Sequence, residues 1–287
     1  MQAGDISARS AVRDGAARLA KAGVPEPEAS AEILLSELLD VRRGDLAFLD
    51  EPLPGEQAEL YETWILRRLD REPVQRILGY AYFRNLRLDL GPSTLIPRPD
   101  TESLVDAALE LIDARPEPPV VLDIGTGSGA IAVSIAQERP ACEVHASDIS
   151  GEALEVARRN ARLNGTTVEF HLADVGAGLE GLRGRVGMLV SNPPYVGRDE
   201  KERLAPEVHE WDPDTALFSE GDGLHFFRRI FAETPPLLVR GADAVLEVGD
   251  WQANAVMELG RENGFAPLGI RPDLAGTPRA TLLRWQG

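Results

Sequence analysis

A short Asn-Pro-Pro-Tyr segment is the most specific chemical signal in the sequence. Asn192, Pro193, Pro194 and Tyr195 follow an apolar run at 186–191 that is typical of a buried strand. Adjacent prolines keep the backbone extended and lack N–H donors, so the backbone carbonyls and the Asn192 side chain form a rigid array of acceptors. Tyr195 adds a flat ring for stacking. Such an array suits a ligand with an NH₂ group, and we expect Asn192, Pro193 and Tyr195 to act in catalysis.

A glycine-rich turn lies upstream, between the apolar run 120–124 and an apolar helical stretch. Its residues are Gly125, Thr126, Gly127, Ser128 and Gly129. Glycines let a chain bend sharply and let a ligand approach the backbone where a Cβ would clash. The turn therefore predicts a nucleotide-type cofactor, although Gly125, Gly127 and Ala130 also satisfy the dinucleotide pattern G-x-G-x-x-A. No Gly-Lys-Ser/Thr follows, which argues against a nucleotide triphosphatase.

Two acidic residues follow the next two predicted strands. Asp148 can accept hydrogen bonds from both ribose hydroxyls of an adenosine moiety, although it can also serve as a helix cap before Ser150 and Gly151. Asp174 can accept from the exocyclic amine of adenine, while Val175 packs against the ring. The sequence thus predicts an adenosine-containing cofactor beside the acceptor array.

The nitrogen of a planar amide or amino group is a weak nucleophile because its lone pair is delocalised. If the Asn192 side-chain oxygen and the Pro193 carbonyl accept its two hydrogens, the lone pair can point at the methyl group of a sulfonium donor. The protein then acts through orientation and electrostatics. This chemistry requires neither a metal nor a covalent intermediate, and we predict no metal site.

The chain divides into three regions. Residues 1–73 show apolar side chains at helical spacing, broken at 23–25 and 51–55, which predicts a small helical bundle that packs or recognises a partner. Residues 74–98 are predicted to form a hairpin and linker, and 99–287 a catalytic domain.

The catalytic region alternates predicted strands with predicted helices, which is typical of a doubly wound α/β sheet. Strands are predicted at 120–124, 143–146, 168–172, 186–191, 244–248, 267–270 and 280–284. Helices are predicted at 130–139, 151–163, 224–237 and 251–262. The last two strands are joined by a tight link and should form an antiparallel hairpin on a parallel sheet.

The composition of the chain limits the classes of binding partner that we expect. With 287 residues and a net charge of −17, the average surface repels phosphate backbones, so bare nucleic acid is a poor candidate partner. No apolar run is long enough for a membrane helix, and the first ten residues lack the pattern of a signal peptide, so we expect a cytoplasmic protein. The single cysteine, Cys142, excludes an internal disulfide or a cysteine-based metal cluster.

Five sequence blocks together resemble the release factor glutamine methyltransferase family (PrmC/HemK). They lie at 71–79, 95–102, 123–130, 192–195 and 247–249. The first two are the most specific, because adenine-targeting enzymes share Asn-Pro-Pro-Tyr but lack them. The resemblance implies a seven-stranded Rossmann-like class I methyltransferase that uses S-adenosyl-L-methionine and releases S-adenosyl-L-homocysteine. The implied substrate is the glutamine of the Gly-Gly-Gln motif in peptide chain release factors, methylated at N5, with a docking role for the amino-terminal helices.

The family's residue assignments extend these expectations. The glycine turn, Asp148 and Val175 look like cofactor contacts, Asn192 touches both cofactor and substrate, and Pro193, Pro194 and Tyr195 complete the glutamine pocket. Arg98 and Glu102 either help to close the site or form a structural salt bridge. The chain departs from the family pattern at Glu220, where glycine is usual, and in its last strand.

Three alternatives remain open at this level. A glutamine methyltransferase of a ribosomal protein would share every catalytic residue. An adenine-N6 nucleic-acid methyltransferase would also use Asn-Pro-Pro-Tyr, but the acidic balance and the lack of a basic stripe argue against it. A nicotinamide-dependent oxidoreductase or a non-catalytic nucleotide-binding module would explain the glycine turn and Asp148, but not residues 192–195.

Overall fold

The computed structural model describes residues 6–49, 51–273 and 275–287, and these form two compact units. The first unit comprises the chain up to Gly79 together with Pro206–Trp211, and the second comprises Tyr80–Ala205 with Asp212–Gly287. Residues 1–5, part of the segment examined for a signal peptide, lie outside the described residues. Among the described helices, none combines the length and apolar character that crossing a bilayer requires.

The helices and strands are numbered in chain order. The helices are α1 (Ala8–Lys21), α2 (Pro27–Leu39), α3 (Gly55–Leu69), α4 (Val74–Leu78), α5 (Glu102–Asp113), α6 (Ala130–Glu138), α7 (Gly151–Leu163), α8 (Pro206–His209), α9 (Asp214–Leu217), α10 (His225–Glu233) and α11 (Ala253–Glu262). The strands are β1 (Tyr80–Phe83), β2 (Leu86–Asp89), β3 (Val120–Ile124), β4 (Glu143–Asp148), β5 (Glu169–Leu172), β6 (Val186–Ser191), β7 (Val196–Gly197), β8 (Phe218–Ser219), β9 (Leu238–Glu247), β10 (Phe265–Pro272) and β11 (Pro278–Trp285).

The first unit is the helical bundle that the apolar spacing predicts. Leu19 of α1, Leu34 and Leu35 of α2 and Ile65 of α3 are fully buried in one core. Buried positions recur three or four residues apart, as at 8, 11, 15 and 19 on α1 and at 61, 65 and 68 on α3, so each of these helices turns one face inward. The Ser7 side chain caps α1 by accepting from the Ser10 backbone N–H.

The first unit also contains two segments that lie outside the predicted helical region 1–73. Residues 74–79, assigned above to the hairpin and linker, form α4 and its end, because Ile77 packs in the core of the bundle. Helix α8 belongs to the same unit, where the Glu207 carboxylate accepts from Arg68 at 3.1 Å and from Arg71 at 2.8 Å. This ion pair joins residues far apart in sequence, so no local pattern predicts it.

The second unit contains a seven-stranded sheet in the order β10-β11-β9-β6-β3-β4-β5. Strands β3, β4, β5, β6 and β9 are parallel, and β11 pairs antiparallel with both β9 and β10. The doubly wound prediction and the antiparallel tail are thereby confirmed. Two apolar cores lie against the sheet, one containing residues of α5 and α6, and the other residues of α10 and α11. Parallel strands joined by helices bring their carboxyl ends to one edge, where a ligand site is expected.

The β1–β2 hairpin alternates buried and exposed side chains. Phe83, Leu86 and Leu88 are almost fully buried in the same core as α5 and α6, whereas Tyr82 is 67% exposed. This alternation follows from the two-residue period of a strand. The hairpin is thus part of the second unit's core.

Replacing Phe83 by alanine is expected to lower the free energy of unfolding by about 3 to 5 kcal/mol, the usual cost of removing a buried aromatic ring. Urea-induced unfolding of the full chain measures the effect. Tyr82→Ala is the matched control, because the adjacent ring points to solvent and its loss should change stability little. Equal losses for the two variants would contradict the packing of the hairpin.

Candidate active site

The glycine turn after β3 is held by backbone contacts with β4. The N–H groups of Gly125 and Thr126 both donate to the Ser147 carbonyl at 2.9 Å. At the end of β3, Asp123 is fully buried and accepts from the Thr126 hydroxyl at 2.7 Å. Burial raises the pKa of Asp123 to about 7. Hydrogen bonds to β4 and to the buried Asp123 therefore hold the turn in place, in addition to the backbone freedom of its glycines.

Two glycines of the turn have different structural roles. Gly127 has a φ of +56°, and open space lies where a Cβ would stand. Gly129 has a φ of +86°, and a Cβ there would come within 3.2 Å of the Ala157 Cβ, so this glycine permits close packing of α6 on α7. Gly127 thus leaves the backbone open to a ligand, whereas Gly129 serves the packing of helices.

Asp148, at the end of β4, joins the glycine turn to the next loop. One carboxylate oxygen accepts from the Gly127 N–H at 2.9 Å, and the other accepts from the Ser150 N–H at 2.9 Å. A carboxylate has about four acceptor positions, so capacity remains for further donors. The adjacent Ile149 is 68% exposed, although it is a large apolar residue. Together they offer a ligand a polar anchor beside an apolar surface.

A cavity of about 150 Å³ in the second unit gathers most of the predicted site residues on its wall. These are Gly125, Thr126, Gly127, Ser128, Asp148, Asp174, Val175, Asn192, Pro193 and Pro194. Two of the predicted site residues, Gly129 and Tyr195, are not among the described residues that form this wall. Residues from the ends of four strands therefore meet around one space, as expected at this edge of a parallel sheet.

A network of side-chain hydrogen bonds orients Asn192. Its amide nitrogen donates to the Thr101 hydroxyl oxygen at 3.3 Å, and Thr101 hydrogen-bonds the carboxyl group of Glu247. Tyr195 donates its phenolic hydrogen to Glu247 at 3.4 Å. Because the Asn192 nitrogen is engaged by Thr101, its carbonyl oxygen is left as an acceptor for a ligand.

Tyr195 is held at both its backbone and its side chain. Its carbonyl accepts from the amide of Gln252 at 2.9 Å, and the Gln252 oxygen accepts from the Gly249 N–H at 3.0 Å. The ring packs against the core that contains α10, and burial raises the pKa of Tyr195. Tyr195 is therefore anchored against the core and is not part of the cavity wall, and its role in catalysis and in the glutamine pocket stays a prediction.

Thr101, Glu247 and Gln252 were missed as site residues in the sequence analysis. Thr101 and Glu247 lie within two of the family blocks quoted above, and that was the only sequence signal for them. Gln252 is fully buried, yet a single glutamine near the start of a predicted helix has no distinctive pattern.

Arg98 and Glu102 have separate partners. Arg98 lines the cavity and forms an ion pair with the buried Asp212. Glu102 accepts from the Arg84 backbone N–H at 2.9 Å, which joins the start of α5 to the β1–β2 turn. Asp174 accepts from Arg229 at 2.7 Å. Of Arg98 and Glu102, Arg98 is therefore the residue that lines the cavity and can face a ligand.

Val175 has an unusual backbone conformation. Its φ is +54°, a left-handed value that β-branched residues rarely adopt, and its side chain is buried beside the cavity. Strain of this kind persists where the surrounding structure requires it, and it concentrates at ligand sites.

Glu247 should make stability depend on pH. Burial raises its pKa from 4.5 to about 7. The folded protein therefore binds a proton that the unfolded chain has released, and this contribution to stability is complete below about pH 4.5 and is lost as pH rises through about 7.

Glu247→Gln keeps the shape of the side chain but cannot ionise, so its free energy of unfolding should fall less than that of wild type between these pH values. At 1.36 kcal/mol per pKa unit the difference is at most about 3 kcal/mol. Urea unfolding at a series of pH values measures it. Glu262→Gln, at an exposed position on α11, is the control and should retain the wild-type slope. An unchanged slope in Glu247→Gln would contradict the assigned pKa.

Comparison with known proteins identifies two sequence families along the chain. Residues 10–79 match the PrmC N-terminal domain, and residues 103–215 match the methyltransferase small domain. The solved structure of a methyltransferase from Pyrococcus furiosus aligns with a TM-score of 0.52 at 19% identity, covering 77% of this chain and 98% of that one. A ribosomal protein L11 methylase from Lactobacillus delbrueckii subsp. bulgaricus aligns with a TM-score of 0.51 at 19% identity, covering 73% and 100%. These likenesses concern the fold.

Curated relatives match over almost the whole chain. The release factor glutamine methyltransferase of Streptomyces coelicolor is 41% identical, covering 93% of this chain and 94% of that protein. The protein of the same name from Cereibacter sphaeroides is 40% identical, covering 97% and 99%, and that from Deinococcus radiodurans is 39% identical, also covering 97% and 99%. The resemblance seen in the sequence is confirmed: the chain belongs to the release factor glutamine methyltransferase family.

Proposed function

We propose that this protein transfers a methyl group from S-adenosyl-L-methionine to the side-chain nitrogen of the glutamine in the Gly-Gly-Gln motif of peptide chain release factors. The observation that carries the proposal is the orientation of Asn192. Its amide nitrogen is engaged by Thr101, so its oxygen remains to accept from an incoming NH₂ group. The family membership of the chain supports the same substrate class.

The residues around the cavity fit an adenosine-containing methyl donor. Asp148 would accept from the ribose hydroxyls, and Gly127 leaves space for a ligand to approach the backbone. The exposed Ile149 and the buried Val175 would flank the adenine, with Asp174 accepting from its amine. When bound, S-adenosyl-L-methionine supplies an electrophilic methyl group on a sulfonium centre. A polar anchor beside apolar walls is the donor set that such a molecule requires.

The chain's own residues would activate the substrate amide by position. The Asn192 oxygen and the Pro193 carbonyl accept its two hydrogens, and two successive prolines keep these acceptors from rotating apart. Thr101 and Glu247 hold the Asn192 side chain, while Gln252 holds the carbonyl of Tyr195. This support reduces the loss of freedom when substrate binds, which is the main catalytic contribution available to a rigid site.

The acidic character of the chain favours a protein substrate over bare nucleic acid. A net charge of −17 opposes the approach of a phosphate backbone. We propose further that the helical unit serves to dock the release factor and that the protein acts in the cytoplasm, without a membrane or direct nucleic-acid partner.

The substrate assignment is tested by incubating the full chain with methyl-labelled S-adenosyl-L-methionine and, separately, a release factor, ribosomal proteins or DNA. Label is expected on the release factor, and mass spectrometry of its peptides should place it on the glutamine of the Gly-Gly-Gln motif. A release factor carrying Gly-Gly-Ala is the matched control and should remain unlabelled. Label on ribosomal protein or DNA alone would refute the proposed substrate.

A further inference from the structure

Two of the four histidines of the chain lie together on the sheet, away from the acceptor array. His145 is on β4 and His171 on β5, and the His145 Nδ1 and His171 Nε2 atoms are 2.9 Å apart. Glu169 is the residue directly opposite His145 in the register of the two strands. Since side chains two positions apart share a face of a strand, Glu169 and His171 point to the same side of the sheet as His145.

The three side chains present donor atoms to a common point. The Glu169 carboxylate lies 3.6 Å from His145 Nδ1 and 3.9 Å from His171 Nε2. An ion held at about 2.0 to 2.1 Å from each ligand atom separates two tetrahedral ligands by about 3.4 Å. The three observed separations bracket that value, so small side-chain movements would complete the geometry.

The second nitrogen of His145 is already arranged for a metal ligand. His145 Nε2 lies 2.8 Å from Glu143 Oε1, and a carboxylate can only accept, so Nε2 carries the hydrogen and Nδ1 presents its lone pair. Arg185 donates to the same Glu143 oxygen at 2.7 Å and holds the carboxylate in place. A histidine whose other nitrogen donates to a carboxylate is the usual arrangement around protein-bound zinc.

The exposure of the three side chains also suits a metal site. The His145 side chain is 2% exposed, which fixes its orientation, whereas His171 is 23% exposed and Glu169 67% exposed. An ion can therefore enter from solvent on the side of Glu169. Two histidines and one carboxylate, with water in the fourth position, form a known zinc ligand set.

We propose that His145, His171 and Glu169 form a binding site for a divalent transition metal ion, with Zn²⁺ the preferred occupant. No metal site is predicted from the sequence, because the methyl-transfer chemistry requires none; the three residues become neighbours only through pairing of β4 with β5. The ion would bridge those two strands, whose carboxyl ends lead to Asp148 and Asp174. The site is thus separate from the acceptor array and from the methyl-transfer chemistry.

The test uses the full chain without a histidine tag. Titration with Zn²⁺ in competition with a chromophoric chelator should give one ion per chain, and Co²⁺ should give the visible absorption of a tetrahedral complex. Because His171 and Glu169 are partly exposed, His171→Gln and Glu169→Gln should fold and should weaken Zn²⁺ binding. Glu143→Gln, which removes the partner of His145, should weaken it by about 10-fold to 100-fold.

Matched controls use the remaining histidines and the cysteine. His209→Gln, His225→Gln and Cys142→Ser should each bind Zn²⁺ as wild type does. The thermal midpoint of wild type should rise with Zn²⁺ and that of His171→Gln should not, because only a ligand of the folded state stabilises it. Equal Zn²⁺ affinity of wild type and His171→Gln, or no stoichiometric binding by wild type, would overturn the proposal and leave the histidine pair as a structural hydrogen bond.

Discussion

Replacing Asn192 by alanine is expected to lower kcat for methylation of the release factor by about 10²-fold to 10³-fold, the effect of removing one preorganised electrostatic partner from an active site. The variant loses the oxygen that would accept from the substrate amide and the group that donates to Thr101 at 3.3 Å. The binding constant of S-adenosyl-L-methionine should change less, because the glycine turn and Asp148 are retained. Steady-state methylation assays and calorimetry of cofactor binding separate the two effects.

Asn85→Ala is the matched control for this variant. Asn85 is an exposed asparagine in the β1–β2 turn, so its loss should leave both kcat and cofactor affinity at the wild-type level. Wild-type kcat in Asn192→Ala would refute the acceptor role of the side chain. A loss of cofactor affinity as large as the loss in kcat would place Asn192 in the cofactor site alone.

Replacing Asp148 by alanine is expected to raise the dissociation constant of S-adenosyl-L-methionine by about 10-fold to 100-fold, since a hydrogen bond to a charged group contributes about 1.5 to 3 kcal/mol. Two separate losses weaken cofactor binding in this variant. The variant loses the proposed acceptor for the ribose, and it leaves the N–H groups of Gly127 and Ser150 without their partner. Calorimetric titration measures the change.

Asp70→Ala serves as the comparison, because Asp70 is an exposed aspartate at the end of α3. Its cofactor affinity should equal that of wild type. At saturating cofactor, Asp148→Ala should recover most of its kcat, which distinguishes a binding residue from one that touches the reacting nitrogen. An unchanged dissociation constant in Asp148→Ala would remove this residue from the cofactor site.

The sequence predicts the second unit well because its chemistry lies at strand ends. Strands β3 and β6 begin and end as predicted, and the residues just after them are the glycine turn and the Asn-Pro-Pro-Tyr segment. A parallel sheet brings such ends to one edge whatever the details of packing. Motifs that look separate along the chain are therefore predictably neighbours in space.

Predictions that depended on packing were less complete. Gly129 was expected at the cofactor, which stays a prediction, and the structure adds that it permits the contact of α6 with α7. Tyr195 was expected to offer its ring to a ligand, which stays a prediction; its ring packs against the core, outside the cavity wall, and its hydroxyl donates to Glu247. The residue types of Gly129 and Tyr195 suggest a ligand role. What surrounds each residue, however, depends on elements that are distant in the sequence.

The helical first region, the doubly wound second region, the glycine turn and the Asn-Pro-Pro-Tyr segment are predictable from the chain's residues, because each depends on local periodicity or on fixed backbone torsions. Only the folded chain shows that Thr101 and Glu247 orient Asn192, that Gln252 anchors Tyr195, and that two histidines share a face. These contacts join residues far apart in the chain, and their geometry arises from strand order and helix packing, which no short stretch of residues specifies.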